Sequence, residues 1–147
     1  MDNDSDLEFE GSNQFSLDEE IQFEKKCLSM LQAQNWQGLS ILSKKHLQKN
    51  HTSGWQAFFY YGIAMYKLGE YVLAIAAFEK AERIDNNDAQ LQYNLGLAYF
   101  KVGNYQHTVG HLKQCILKDN KHPHAYNNLA FLYNHHKLFK ETLNICR

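Results

Sequence analysis

Tyr61-Gly62-Ile63-Ala64 is followed 34 residues later by Leu95-Gly96-Leu97-Ala98, and Leu68-Gly69-Glu70-Tyr71 by Val102-Gly103-Asn104-Tyr105. A third, worn copy reads Leu129-Ala130-Phe131-Leu132-Tyr133. Self-similarity at this period marks stacked helical hairpins, each too small to bury its apolar face alone. Function is therefore expected on a surface that stacking creates, not in a closed catalytic pocket.

Working outward, the clear repeats begin at Trp55, Ala89 and Pro123. Each first helix spans about fourteen residues, and the second starts near position 17 of the repeat. Pro123 suits a first helical turn, where its missing amide hydrogen costs nothing. Gly69 and Gly103 can take the left-handed conformation that ends a helix; the third repeat has Lys137 there. Asp85-Asn86-Asn87-Asp88 and Asp119-Asn120-Lys121-His122 are turn sequences between repeats. Gly62, Gly96 and Ala130 recur where two helices approach closely, with Ala74 and Ala81 as opposing small faces, so Gly96→Leu is expected to overpack by about 1–3 kcal/mol or more.

The N-terminal side is less regular. Residues 1–15 are acidic, lack helical or strand period, and are expected to form a disordered arm. Ser16-Leu17-Asp18-Glu19 has the form of a capping box and predicts a helix start, continued by Phe23, Cys27, Met30 and Leu31 at helical spacing. A second helix is predicted from Trp36 to Gln48. This hairpin, within residues 16–54, needs a one-residue slip to align, and is expected to be a degenerate repeat ahead of repeats 55–88, 89–122 and a partial 123–147. The last helix stops about three turns in, at Arg147, without the polar capping helix that ends most arrays. A fragment of a longer chain is the favoured explanation; the alternative is an exposed end that pairs with another copy.

These residues closely resemble the tetratricopeptide repeat. Repeat 55 supplies Phe58, Tyr61, Gly62, Tyr71, Ala74, Phe78 and Ala81, with Met65 replacing a tyrosine. Repeat 89 supplies Leu95, Gly96, Tyr99, Tyr105 and Leu112, with Thr108 and Cys115 at small sites and Gln92 where a bulky group is usual. Repeat 123 supplies Tyr126, Leu129, Ala130, Tyr133, Phe139 and Thr142. The resemblance implies an all-α, right-handed superhelical solenoid. It also implies a concave face lined by the first helices, and hence a protein-interaction module.

By that resemblance, the residues facing the groove are Gln56, Phe59, Tyr60, Ile63, Tyr66 and Lys67. From the next repeat come Gln90, Tyr93, Asn94, Leu97, Phe100 and Lys101, and from the third His124, Asn127, Asn128, Phe131, Asn134 and His135. Aromatics, amides and lysines without an acid suit a peptide held by apolar anchors and backbone hydrogen bonds. The peptide-binding set is thus Asn94, Asn128, Phe59, Tyr60, Tyr66, Lys67, Gln90, Tyr93, Lys101, His124 and Asn127. Asn94 and Asn128 stand out because an amide carries donor and acceptor and can grip a peptide backbone whatever its sequence. The competing account buries Phe59, Phe100 and Phe131 between repeats and leaves the asparagines solvated. The dicarboxylate clamp of heat-shock co-chaperones is largely absent, since Phe59, Ile63, Asn94, His124 and Asn128 match its pattern only at Asn94.

Charge and chemistry narrow the classes further. Residues 1–20 hold eight acids and no base, and with 16 acids and 15 bases in all, the remainder carries 15 − 8 = +7. The lysines are scattered, which argues against nucleic acid as a partner. No apolar run approaches a membrane span, and the acidic N-terminus is unlike a signal peptide. Three widely spaced cysteines argue against a disulfide framework and for a reducing, intracellular and cytoplasmic setting.

His107 and His111 lie four apart, with His122, His124, His135 and His136 further on, but nothing completes a zinc spacing, so solvated histidines are expected. No metal, cofactor or catalytic signature is present, and a non-enzymatic adaptor is expected. The alternatives are a self-associating scaffold, which would be a homo-oligomer, and the targeting domain of a longer enzyme. For the segment Asp6-Leu7-Glu8-Phe9-Glu10 plain disorder is the favoured account; the alternatives are docking in the basic groove of this or a neighbouring molecule and a short motif for another protein.

Overall fold

The structure, a computed structural model, describes residues 2–49 and 54–135, with side chains from residue 17 onward in the first helix and up to residue 134. The features read at His136, Lys137, Phe139, Thr142 and Cys146 lie outside the described residues, as do the side chains of the 6–10 segment and His135. Seven helices make up the described residues: α1 (Asp2–Gln32), α2 (Trp36–Lys49), α3 (Trp55–Lys67), α4 (Tyr71–Ile84), α5 (Ala89–Lys101), α6 (Tyr105–Lys118) and α7 (Pro123–His135). The principal packing joins consecutive helices, and α3 also touches α5. That is the nearest-neighbour packing of a helical repeat solenoid.

The repeat sequence sets the turns directly. Gly69 and Gly103 have φ of +85° and +83°. Around them Glu70 N–H donates to the Met65 carbonyl at 2.8 Å and Asn104 N–H to the Tyr99 carbonyl at 2.9 Å. Both are the six-to-one bonds of a Schellman ending. The irregular first hairpin forms the same ending, with Asn35 N–H on the Met30 carbonyl at 2.9 Å, but places Gln34 at φ 55°. Its turn residue sits 35 positions before Gly69, which accounts for the alignment slip. A side chain other than glycine costs about 1 kcal/mol or more in that conformation.

Small residues let the helices of each hairpin close. A Cβ at Gly62 would lie 2.5 Å from Phe78 Cε1, and one at Gly96 would lie 3.2 Å from Leu112. Three apolar clusters run along the array: Phe23, Cys27, Leu39, Ala57 and Tyr60; then Met65, Phe78, Leu91 and Leu95; then Val109, Leu112, Cys115 and Leu132. Burial pushes the Cys27 thiol up to about 12 and that of Cys115 to about 11, aided by nearby acids. Both are unpaired packing groups.

One expectation is corrected at the N-terminus. The first helix begins at Asp2, so Ser16 lies inside it and the Ser16–Glu19 sequence does not cap a helix start. Residues 2–15 lack apolar period, yet they contain no proline, and Asp2, Asp4 and Asp6 suit the positive end of a helix dipole. Side-chain caps do form elsewhere, among them Asn35 on Gly38 N–H (2.9 Å), Asp88 on Leu91 N–H (2.8 Å) and Asn104 on His107 N–H (3.2 Å). Each satisfies an amide that a helix start leaves without a partner.

Candidate peptide-binding groove

Two adjoining cavities lie along the first helices. One, about 260 Å³, is lined by Ile63, Tyr66 and Lys67 of α3 and by Gln90, Tyr93, Asn94 and Leu97 of α5, with Phe78 behind them. The other, about 330 Å³, shares Tyr66 and Leu97 and continues to Phe100, Lys101, Asn128 and Phe131. Thr108, Leu112 and Leu132 complete the second cavity. The shared residues make one groove across three repeats.

Its polar groups are already ordered. Gln90 Nε2 donates to Asn94 Oδ1 at 3.1 Å, and Gln90 Oε1 lies 3.1 Å from His122 Nε2. Asn128 Nδ2 donates to the Tyr93 hydroxyl at 3.1 Å. The Tyr93 ring lies 4.7 Å from that of His122 and 6.1 Å from that of His124. Burial, then Tyr71 and Tyr93, raise the Tyr66 phenol above its ordinary value, so it stays a neutral donor. Lys67 Nζ stands 5.4 Å over the Trp36 ring, a cation–π contact that holds the ammonium at the groove's edge. Both lining lysines are exposed, and no acid lines either cavity.

Seven of the sequence-predicted residues come together here: Asn94, Asn128, Tyr66, Lys67, Gln90, Tyr93 and Lys101. His124 and Asn127 are exposed on α7 but line neither cavity. Phe59 is half-buried against Trp55, Tyr60 and Phe78, as the competing account expected. Tyr60 is corrected outright. It is 6% exposed and packs edge-on to Phe23 of α1, with ring centroids 6.2 Å apart, so it belongs to the core. The reason is the first hairpin, whose Phe23 and Leu39 cover the start of α3.

Phe100 and Phe131 remain in the groove wall, and Phe131 is 48% exposed. Thr108, Leu112 and Leu132 were not expected there. Only the close hairpin approach brings the two α6 residues through to the groove, and the sequence carries no separate signal for it.

A larger cavity, about 780 Å³, opens between α4 and α6. Three of its polar groups pair with one another. Gln92, 2% exposed, donates to Glu82 Oε2 at 2.7 Å and accepts from His111 Nδ1 at 2.8 Å, so this unusual position-4 glutamine is a buried link. Tyr99 hydrogen-bonds Glu79, and His107 and His111 stack on the Tyr99 ring. Burial lowers the His111 pKa against the opposing pull of Glu82. Among the described residues no group of three His, Cys, Asp or Glu is arranged to hold a metal ion. Arg83 and Lys118 give this cleft exposed cations too, but its lining is made of polar side chains, whereas the groove has an apolar, aromatic wall, so size is the weaker guide to the site.

The family described as "TPR repeat" matches residues 62–103, from mid-α3 through the turn after α5. Residues 62–103 thus match a tetratricopeptide repeat. Among solved structures it is similar to MamA AMB-1, at 22% identity over 63% of this chain and 54% of that one, with a TM-score of 0.58. YrrB, a TPR protein with an unusual peptide-binding site, matches at 17% identity over 74% and 55%, with a TM-score of 0.66. PcrH in complex with the chaperone binding region of PopD matches at 13% over 82% and 90%, with a TM-score of 0.64. The chain spans about half the length of three of the MamA structures it matches. No curated protein matches the sequence. At these identities the likeness establishes the fold.

Proposed function

We propose that the groove holds an extended segment of another protein, and that the chain is a non-enzymatic adaptor. The observation that carries this is the pairing of Asn94 and Asn128 on one apolar wall between exposed Lys67 and Lys101. A helical ligand satisfies its own backbone, so asparagines that read backbone groups favour an extended one. Likeness to YrrB and to the PcrH complex supports a bound segment. Charge favours a ligand carrying acids beside its apolar anchors. Unpaired, buried Cys27 and Cys115 support a reducing, cytoplasmic setting, and among the described residues no helix is long and apolar enough to cross a membrane.

A displayed peptide library panned against wild type and an Asn94→Ala/Asn128→Ala variant tests the proposal. Two lost hydrogen bonds of about 1 kcal/mol each predict roughly tenfold to hundredfold weaker binding; equal recovery from both baits removes it.

A second reading, a self-associating scaffold, rests on Leu17, Ile21 and Leu28. They are 61%, 43% and 48% exposed and fall along one face of α1. Light scattering against concentration separates the two. A stable oligomer dissolved by Leu17→Glu/Ile21→Glu and indifferent to the asparagine changes favours the scaffold.

A further inference from the structure

His122 is buried at 6% exposure immediately before Pro123, although a histidine in a polar turn is expected to be solvated. Its Nδ1 accepts the Ala125 backbone N–H at 3.2 Å, so the imidazole is the N-cap of α7. A backbone N–H can only donate, so Nδ1 must carry a lone pair. The proton of the neutral ring then sits on Nε2, which reaches Gln90 Oε1 at 3.1 Å. Gln90 in turn holds Asn94 at 3.1 Å, while α7 carries Asn128. One ring therefore connects both groove asparagines.

The geometry points to His122 as a positioning residue that sets the groove in its binding form only while its imidazole is neutral; this rests on the groove being the ligand site. Protonation places a hydrogen on Nδ1 against the Ala125 N–H, which removes the cap. It also sets a cation at the positive end of the α7 dipole. The ring's surroundings offer no compensation. From α5 it meets Gln90 and the Tyr93 ring at 4.7 Å, and from α7 the His124 ring at 6.1 Å. In the preceding turn its own N–H is bonded to the Asp119 carbonyl, while the Asp119 carboxylate accepts from Lys121 N–H. Among the described residues His122 forms no ion pair with a carboxylate. Protonating it leaves the Nε2–H bond to Gln90 in place but frees the first turn of α7, and the groove loses its set geometry on the helix that carries Asn128.

The test uses the whole chain in two arms. Backbone amide exchange of Ala125 and its neighbours, corrected for intrinsic rate, is followed by NMR without ligand across the interval where imidazoles titrate, from about pH 7.5 down to about pH 5. Loss of one cap predicts protection of the first α7 turn falling roughly fivefold over that interval in wild type. In His122→Asn, whose amide caps without titrating, protection should stay level. In the second arm, a peptide selected from a displayed library should bind wild type several-fold more weakly at the lower pH, while the affinity of His122→Asn, whatever its starting level, should not change over the interval. Level exchange in wild type, or the same decline in His122→Asn, overturns the latch. Falling protection with constant peptide affinity overturns its coupling to the groove. Failure to select any peptide overturns the groove as ligand site while the exchange arm still reports on the cap.

Discussion

Gly62 and Gly96 occupy the same repeat position, yet replacing each with alanine should give different results. At Gly62 the new methyl would sit 2.5 and 2.6 Å from Phe78 Cε1 and Cδ1, roughly 1 Å inside ordinary carbon contact. Phe78 is 1% exposed and its ring lies 6.0 Å from that of Phe59, so it has no open space to enter. Overpacking of this kind costs about 1–3 kcal/mol, against a gain of about 1 kcal/mol from replacing a mid-helix glycine. At Gly96 the nearest atoms are Leu112 Cδ2 and Cγ at 3.2 Å, which need give only a few tenths of an ångström. There the helical gain offsets the contact. Urea denaturation should therefore place Gly62→Ala about 1–2 kcal/mol below Gly96→Ala, with the latter near wild type. In a Phe78→Leu background the difference should vanish. Equal stabilities, or a penalty at Gly62 that persists with leucine at 78, would refute the packing argument.

Further expectations follow from strain and titration. Gln34→Gly should raise stability by about 1 kcal/mol in the same assay, because Gln34 holds a positive φ that glycine adopts without cost; a loss would contradict the strained turn. The His111 pKa is lowered in the fold, so its contribution is fully present above the ordinary value of 6.5 and is lost as pH falls through the folded value. Wild type should lose more stability than His111→Gln between about pH 7.5 and about pH 5; parallel losses would clear His111. The Cys27 thiol is raised from 9.0 to about 12, so stability is full below 9.0 and declines as pH climbs through that window. Thiol reagents at neutral pH should label Cys27 only as fast as the protein opens, and immediate labelling would show an exposed thiol.

The repeat sequence predicted the starts at Trp55, Ala89 and Pro123 and the second helices at Tyr71 and Tyr105, because glycine turns and helical period are local signals. What it missed depends on contacts between distant residues. Tyr60 reads as groove-facing from its position alone, and only the irregular first hairpin, through Phe23 and Leu39, buries it. Gln92 reads as a defect until Glu82 and His111, on α4 and α6, arrive to pair with it. His122 reads as a turn residue because Gln90 and Tyr93, which enclose it, lie about 30 residues earlier. The start of α1 was misplaced for the opposite reason. A capping sequence is only a local preference, and the proline-free stretch ahead of it does not force the helix to stop there.

Side-chain amide NMR resonances followed during titration with a library-selected peptide test the groove most directly. The account predicts that Asn94 and Asn128 shift together and saturate at one affinity, along with Tyr66 and Leu97 between them. Shifts confined to His107, His111 and Gln114 in the α4–α6 cleft, with both asparagines unmoved, would contradict it.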